Sequence, residues 1–299
     1  TLNATRALSA VNFDTGPSSG LGNLTINAGT GGVDFGADVT STGNLSVTSG
    51  GTITDAGILT IGGTSNFTTD IANQAITLDN IFNSFTGAVS LNTSGASGNA
   101  TLASNSAVTL STATVGGNLA VTVGGNNSLN VTGTGTAGGS ISLFADDDII
   151  FTASGDLTTT TGNIIVTADN DSDNNGSGGA LEMVAGTVFD AGSGTLALSA
   201  DEDITLGLLQ TTSSSDNAVT LTSTHGGVLD GDTDFSLDID AANGRLVADV
   251  ASGFGTTLNA IETRLNSVDI DNKTSGDINI FESDTLDIFK IDQAGPGNI

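Results

Sequence analysis

One short phrase returns along this chain, and its spacing limits the fold more than any local propensity does. It is a glycine, a polar or small residue, then apolar–any–apolar. It reads GNLTI at 22–26, GNLSV at 43–47, GILTI at 57–61, GAVSL at 87–91 and GNLAV at 117–121. Later copies are GSISL at 139–143, GNIIV at 162–166, GALEM at 179–183, GTLAL at 194–198 and GDINI at 276–280. Each copy predicts a strand of about five residues with two apolar side chains on one face, because successive side chains alternate. Leu24 and Ile26 share a face, and Thr25 points away. The glycine and asparagine that open a copy mark a corner that needs permissive backbone angles.

Apolar landmarks give the period. Leu24, Leu45, Phe67, Val89, Val108, Leu129 and Ile149 follow one another at a near-constant step of about 21 residues. One turn of about 21 residues with two or three short strands is the size of one rung of a parallel β-solenoid. The 299 residues then make about 14 rungs, a rod of about 65–70 Å at about 4.8 Å per rung. A rung cannot bury its apolar face alone, but stacked neighbours do so together. Parallel crossovers are right-handed, so the expected fold is all-β, a right-handed parallel β-helix. Helix is nearly absent; Asn259 to Leu265 and Ile71 to Ala75 are the weak candidates. A sandwich or barrel is the alternative. It would need hairpin turns and a thicker core, yet Asn-Gly occurs only at 175–176 and 243–244, and the aromatics are 12 scattered Phe.

Composition enters as a set of exclusions. Forty-two glycines among polar residues would suit a disordered chain, but the 37% of apolar residues recur in alternating clusters, which is a strand signal. With no Cys there is no disulfide, thiol nucleophile or Cys-bound metal. The single His cannot build a His-rich metal site. Five Lys and Arg against 33 Asp and Glu give a net charge of −28, which repels nucleic acid and anionic lipid. No apolar run reaches the length of a membrane-spanning helix.

The acids are unevenly placed. Residues 1–140 hold six (Asp14, Asp34, Asp38, Asp55, Asp70 and Asp79), and 141–299 hold the other 27. No linker separates the halves. The expected organisation is therefore one continuous solenoid over 1–299, neutral and rich in Asn, Thr and Gly over 1–140, acidic over 141–299. Within the acidic half, GGSISLFADDDII at 138–150 aligns with SGTLALSADEDIT at 193–205. GNIIVTADND, at 162–171, carries the same opening between them. The interval from its Gly162 to Gly194 reads as a rung of about 23 residues with DSDNNGSGG inserted, forming an Asp/Asn loop near 169–182. Neither end carries a capping element. The expectation is a piece of a longer array, or a subunit whose ends are covered by neighbours.

The phrases GNLTINAG, GNLSVTSGG, GTLALSADEDITLG and DAANGRLVADVASG resemble the β-helical repeats of filamentous-haemagglutinin-like adhesins, very large secreted bacterial surface proteins. SVDIDNKTSGDINIFESDTLDIFKIDQAGPGNI is similar to the terminal-style repeats of such proteins. The resemblance covers most of the chain. It implies a right-handed β-helical rod, an extracellular or cell-surface location, and adhesion or scaffolding. The partners it implies are a host or neighbouring-cell surface or other copies of the chain. It supplies no catalytic residue.

The sharpest local motif is Asp171-Ser-Asp173-Asn-Asn175-Gly176-Ser177 with Glu182 beyond it, which fits D-x-[DN]-x-[DN]-G-x5-E. Calcium takes six to eight hard oxygens, and Asp171, Asp173, Asn175, Ser177 and Glu182 offer them. Glu182 lies in the strand ALEM, facing outward between Leu181 and Met183. A solvated Asp/Asn turn is the alternative. A weaker calcium candidate is Asp230-Gly-Asp232-Thr-Asp234, followed by Asp238 and Asp240. Asp146–Asp148 and Asp201–Asp203 occupy equivalent corners, where like charges one rung apart would repel and a cation would relieve them.

No enzyme is expected. Carbohydrate-active solenoids add Trp or Tyr platforms and basic residues to their carboxylates, and here Trp and Tyr are absent and the five basic residues are dispersed. His225 reads as an exposed corner residue. The leading expectation is a non-enzymatic rigid segment of a surface adhesin. Alternatives are a filament subunit stacking head to tail and, lower, a polysaccharide-active enzyme.

Overall fold

The computed structural model describes residues 2–3, 10–12, 18–171 and 178–299. The chain forms two compact units, Thr1–Leu143 and Phe144–Ile299. Both are parallel β-solenoids, and the described residues contain no helix. Ile71 to Ala75 is a turn, and most of Asn259 to Leu265 belongs to the strand Ile261–Asn272. The β-branched pair Ile261 and Thr263 brings extended backbone there, and parallel pairing on both sides overrides the helical spacing.

In the first unit three faces repeat. One runs Leu24–Asn27, Leu45–Ser49, Ser65–Thr69 and Val89–Asn92. The second runs Gly32–Phe35, Ile53–Asp55, Ile76–Leu78, Ala100–Ser104 and Leu119–Val123. The third is a four-stranded sheet of Ser18–Leu21, Val39–Ser41, Leu59–Ile61 and Ser84–Phe85. Alternation puts every second side chain inside. Ile26, Val47, Phe67, Leu91 and Ala113 are paired in sequence to make one buried column. Burying one such Ile, Val, Leu or Phe stabilises the stack by about 1.5–3 kcal/mol.

That column corrects the middle of the apolar landmark series, whose Leu24–Leu45 and Val108–Leu129 steps hold. Leu45 stacks on Ser65, not Phe67, and Val89 stacks on Leu110. Val108 pairs with Leu129, because the long strand Val108–Val115 meets two different strands of the next turn.

Asparagine at the corner also has a different role from the one expected. The side chain of Asn23 accepts the N–H of Asn44 at 2.9 Å, and Asn44 accepts that of Thr64 at 2.9 Å. Asn99, Asn118 and Ser140 repeat the arrangement at 2.8 Å per step. The glycine beside each asparagine has an ordinary φ at Gly43, Gly117 and Gly139. It is required because a Cβ would overlap the asparagine oxygen of the preceding turn.

The second unit follows the same plan with one long turn. Ile149 pairs with Leu181, Leu157 with Phe189, and Ile164 with Leu196. The side chains of Asp148 and Asn163 reach across the same interval, 32 residues, to the N–H groups of Ala180 and Thr195. The turn after it is shorter, with Leu181 paired to Ile204 and Leu196 to Val219. All three faces thus stay in register across the long turn. Edge-on contact between Phe151 and Phe189, centroids 4.7 Å apart, fills this turn. The two longest strands, Ile239–Val250 and Ile261–Asn272, pair in parallel with a bulge between Ala241 and Arg245. The structure has about 12 turns rather than 14, because turn length varies with the corners.

Candidate metal centre

Three carboxylates meet in the second unit. Asp230 ends the strand Val228–Asp230, Asp238 immediately precedes Ile239–Val250, and Glu262 is the second residue of Ile261–Asn272. Pairing of Ile239 with Thr263 sets Asp238 beside Glu262. The N–H of Asp238 donates to the Glu262 carbonyl at 2.9 Å, and the N–H of Glu262 donates to Asp238 Oδ2 at 2.9 Å. A ligand oxygen from each of Asp230, Asp238 and Glu262 lies within 4.8 Å of the other two.

The segment between Asp230 and Asp238 is a staircase of side chain–backbone turns. Asp230 Oδ1 accepts the N–H of Asp232 at 2.8 Å, Asp232 Oδ1 that of Asp234 at 3.0 Å, and Asp234 Oδ1 that of Ser236 at 2.5 Å. Short Asp side chains favour this local bonding two residues on. The bond to Ser236 holds the Asp234 carboxyl below the usual range. Asn259 Nδ2 donates to the Asp232 carbonyl at 2.7 Å and ties the loop to the neighbouring turn. Thus Asp232 and Asp234 look along the loop, and the partners brought to Asp230 are Asp238 and Glu262.

Burial dominates the electrostatics. Asp238 is 3% and Glu262 4% exposed. Burial pushes the Asp238 carboxyl up to about 9; the N–H of Glu262 opposes this, while the charges of Asp230 and Glu262 add to it. Burial also raises Asp230 and Glu262. Asp230 Oδ2 and Glu262 Oε2 are buried and accept no hydrogen bond from an N–H or hydroxyl group, so a proton held on Asp238 is the donor within reach. Two ionised carboxylates about 5 Å apart repel by roughly 3 kcal/mol at the effective dielectric of a protein. The cluster is therefore neutralised by protons or by a cation. An oxygen-only set suits a hard cation.

The other acidic positions are quieter. Asp173, Asn175 and Ser177 lie outside the described residues; Asp171 is exposed in a turn, and Glu182 is exposed in Leu181–Met183 with its neighbours buried. Asp148 and Asp203 are two turns apart, not one, because Ile149, Leu181 and Ile204 follow in register. Each works as the corner asparagines do: Asp148 accepts the N–H of Ala180 at 3.0 Å, and Asp203 that of Gly227 at 2.8 Å. Separation by two rungs, about 9.5 Å, relieves the repulsion without an ion. His225 is a corner residue, its side chain 59% exposed, with Nδ1 2.6 Å from Asp201 Oδ1.

Glu262 is not among the candidates that the sequence singles out. The available signal is its separation of 24 residues from Asp238, one turn of this unit.

Residues 1–92 match a family described as repeats of unknown function (DUF5649). No curated protein and no solved structure matches the chain. The matched segment lies in the first unit and does not include the carboxylate cluster.

Proposed function

We propose that the chain is a non-enzymatic, load-carrying segment of a secreted or cell-surface bacterial protein of the adhesin kind. The observation that carries this reading is the continuity of each stack. Successive turns are joined on three faces by parallel backbone pairing, and corner Asn or Asp side chains bond the next turn's N–H. Many short bonds in parallel resist extension together, which suits a spacer that holds a contact away from a surface. Outward Thr, Ser and Asn make the faces polar, while the interior is aliphatic with Phe at intervals. Such a stack also offers a long surface to a partner.

Display of the chain on a non-adherent bacterium tests the reading. Attachment to cells or to an abiotic surface above that of the undisplayed strain supports it. Turnover of a polysaccharide by the purified chain would overturn it.

A second reading is a subunit that associates with copies of itself. It is favoured by Phe281, Ile288 and Phe289, which are 56–65% exposed on Ile280–Glu282 and Asp287–Gln293. Electron microscopy of the purified protein separates the two, since fibres are expected only from the second.

A further inference from the structure

We propose that Asp230, Asp238 and Glu262 form a buried divalent-cation site, with calcium as the ion it fits. The inference is independent of the adhesin reading. It rests on an orphaned oxygen of a residue in the cluster. Glu262 is 4% exposed, its Oε2 accepts no bond from an N–H or hydroxyl group, and one oxygen of its carboxylate converges with those of Asp230 and Asp238. A carboxylate oxygen withdrawn from water and left without a donor is costly, and a cation removes that cost.

Asp230 repeats the pattern. Its Oδ1 is held by the N–H of Asp232, and its Oδ2 accepts no bond from an N–H or hydroxyl group. Asp238 is fixed in the same way through its Oδ2 by the N–H of Glu262. Each of these two aspartates thus has one oxygen anchored to backbone, which orients the carboxylate without consuming it. Backbone anchoring of this kind is what fixes metal-binding carboxylates in place.

Ligand chemistry selects the class of ion. Three carboxylate oxygens within 4.8 Å of one another make an oxygen-only set, which suits a hard divalent cation. Three carboxylates leave coordination positions for water, which calcium's irregular shell accommodates. A groove of about 680 Å³ lined by Asp232, Asp234, Asp238 and Asp240 borders the cluster at Asp238.

The test is calorimetric and thermal titration of the chelator-treated full chain with calcium chloride near neutral pH. Sodium chloride at matched ionic strength separates a bound ion from simple screening of the −28 charge. The expected result is saturable heat and a melting temperature that climbs with the logarithm of calcium concentration. Glu262→Gln should weaken calcium binding by about 10–100-fold, the range seen when even a supporting partner of a metal ligand is lost. Asp230→Asn, at a less buried position, should do the same and serves if the first variant does not fold. Both substitutions leave residues 171–182 intact, so calcium held by that loop would be unaffected. The proposal is overturned if calcium does no more than matched sodium, or if both variants keep the wild-type calcium response.

Discussion

Asp55 and Asn83, 28 residues apart, are joined by a bond of 2.6 Å from Asn83 Nδ2 to Asp55 Oδ2 inside the first unit. The oxygen of the same amide accepts the buried N–H of Leu59 at 2.8 Å. Asn83 is fully buried and Asp55 is 8% exposed. One amide therefore satisfies a carboxylate from one strand end and a backbone donor from another.

Asn83→Ala removes both bonds at once. The Leu59 N–H and the Asp55 oxygen would remain buried, at about 1–3 kcal/mol for each orphaned group. The expected outcome in urea denaturation is a midpoint shift of that order with an unchanged slope. Wild-type stability for the alanine variant would show that water or another group replaces the amide.

Asp55 also sets a pH dependence. Burial raises its carboxyl above 3.8, with the Asn83 bond opposing. The folded pKa lies above the unfolded one, so the contribution to stability is fully present below the unfolded value. It is lost as pH rises through the raised value. Asp55→Asn deletes this titration. In paired melts across the acidic-to-neutral range, the wild-type curve should fall more steeply with rising pH than that of the variant. Parallel curves would contradict the raised carboxyl.

Gly22 and Gly43 open equivalent phrases but should respond differently to alanine. Both have ordinary φ. A Cβ on Gly22 meets nothing within 4 Å, whereas one on Gly43 overlaps Asn23 Oδ1 and comes within 2.8 Å of the Asn23 N. Gly43→Ala should cost about 1–3 kcal/mol through forced displacement. Gly22→Ala should be neutral or stabilising by up to about 1 kcal/mol, since it stiffens only the unfolded chain. Equal effects in thermal melts would mean that the corner asparagine yields freely.

These residues also show which parts of the architecture were readable in advance. Alternation in phrases such as Leu24-Thr25-Ile26 fixes which side chain enters the core, so strands and their stacking were legible. Column membership was not. Nothing local distinguishes Phe67 from Ser65 as the residue under Leu45; the pairing register decides it. The proximity of Asp230 and Asp238 could be read from a single acidic run. Glu262 could not, because Ile261 with Thr263 fits strand spacing while Ile261 with Leu265 fits helix spacing, and only parallel pairing brings Glu262 to Asp238. The repeat marks the corner glycines as necessary, but the physical cause at Gly43 is close approach between turns.

The long turn of the second unit makes a last prediction. Ile149, Leu157 and Ile164 find their partners at Leu181, Phe189 and Leu196, a longer step than that of the following pairs Leu181–Ile204 and Leu196–Val219. The strand pairs named above lie outside residues 170–178, and removal of a segment between such pairs is tolerated. Deletion of residues 170–178 leaves a turn of ordinary length. The variant is expected to fold cooperatively and to melt within a few degrees of the parent, as read by circular dichroism. It also removes Asp171, Asp173, Asn175 and Ser177, four of the five residues of the first calcium candidate, while Glu182, Asp230, Asp238 and Glu262 remain. A calcium-dependent rise in melting temperature retained after the deletion would place the ion at the three buried carboxylates. A rise abolished by the deletion would place it at the inserted loop.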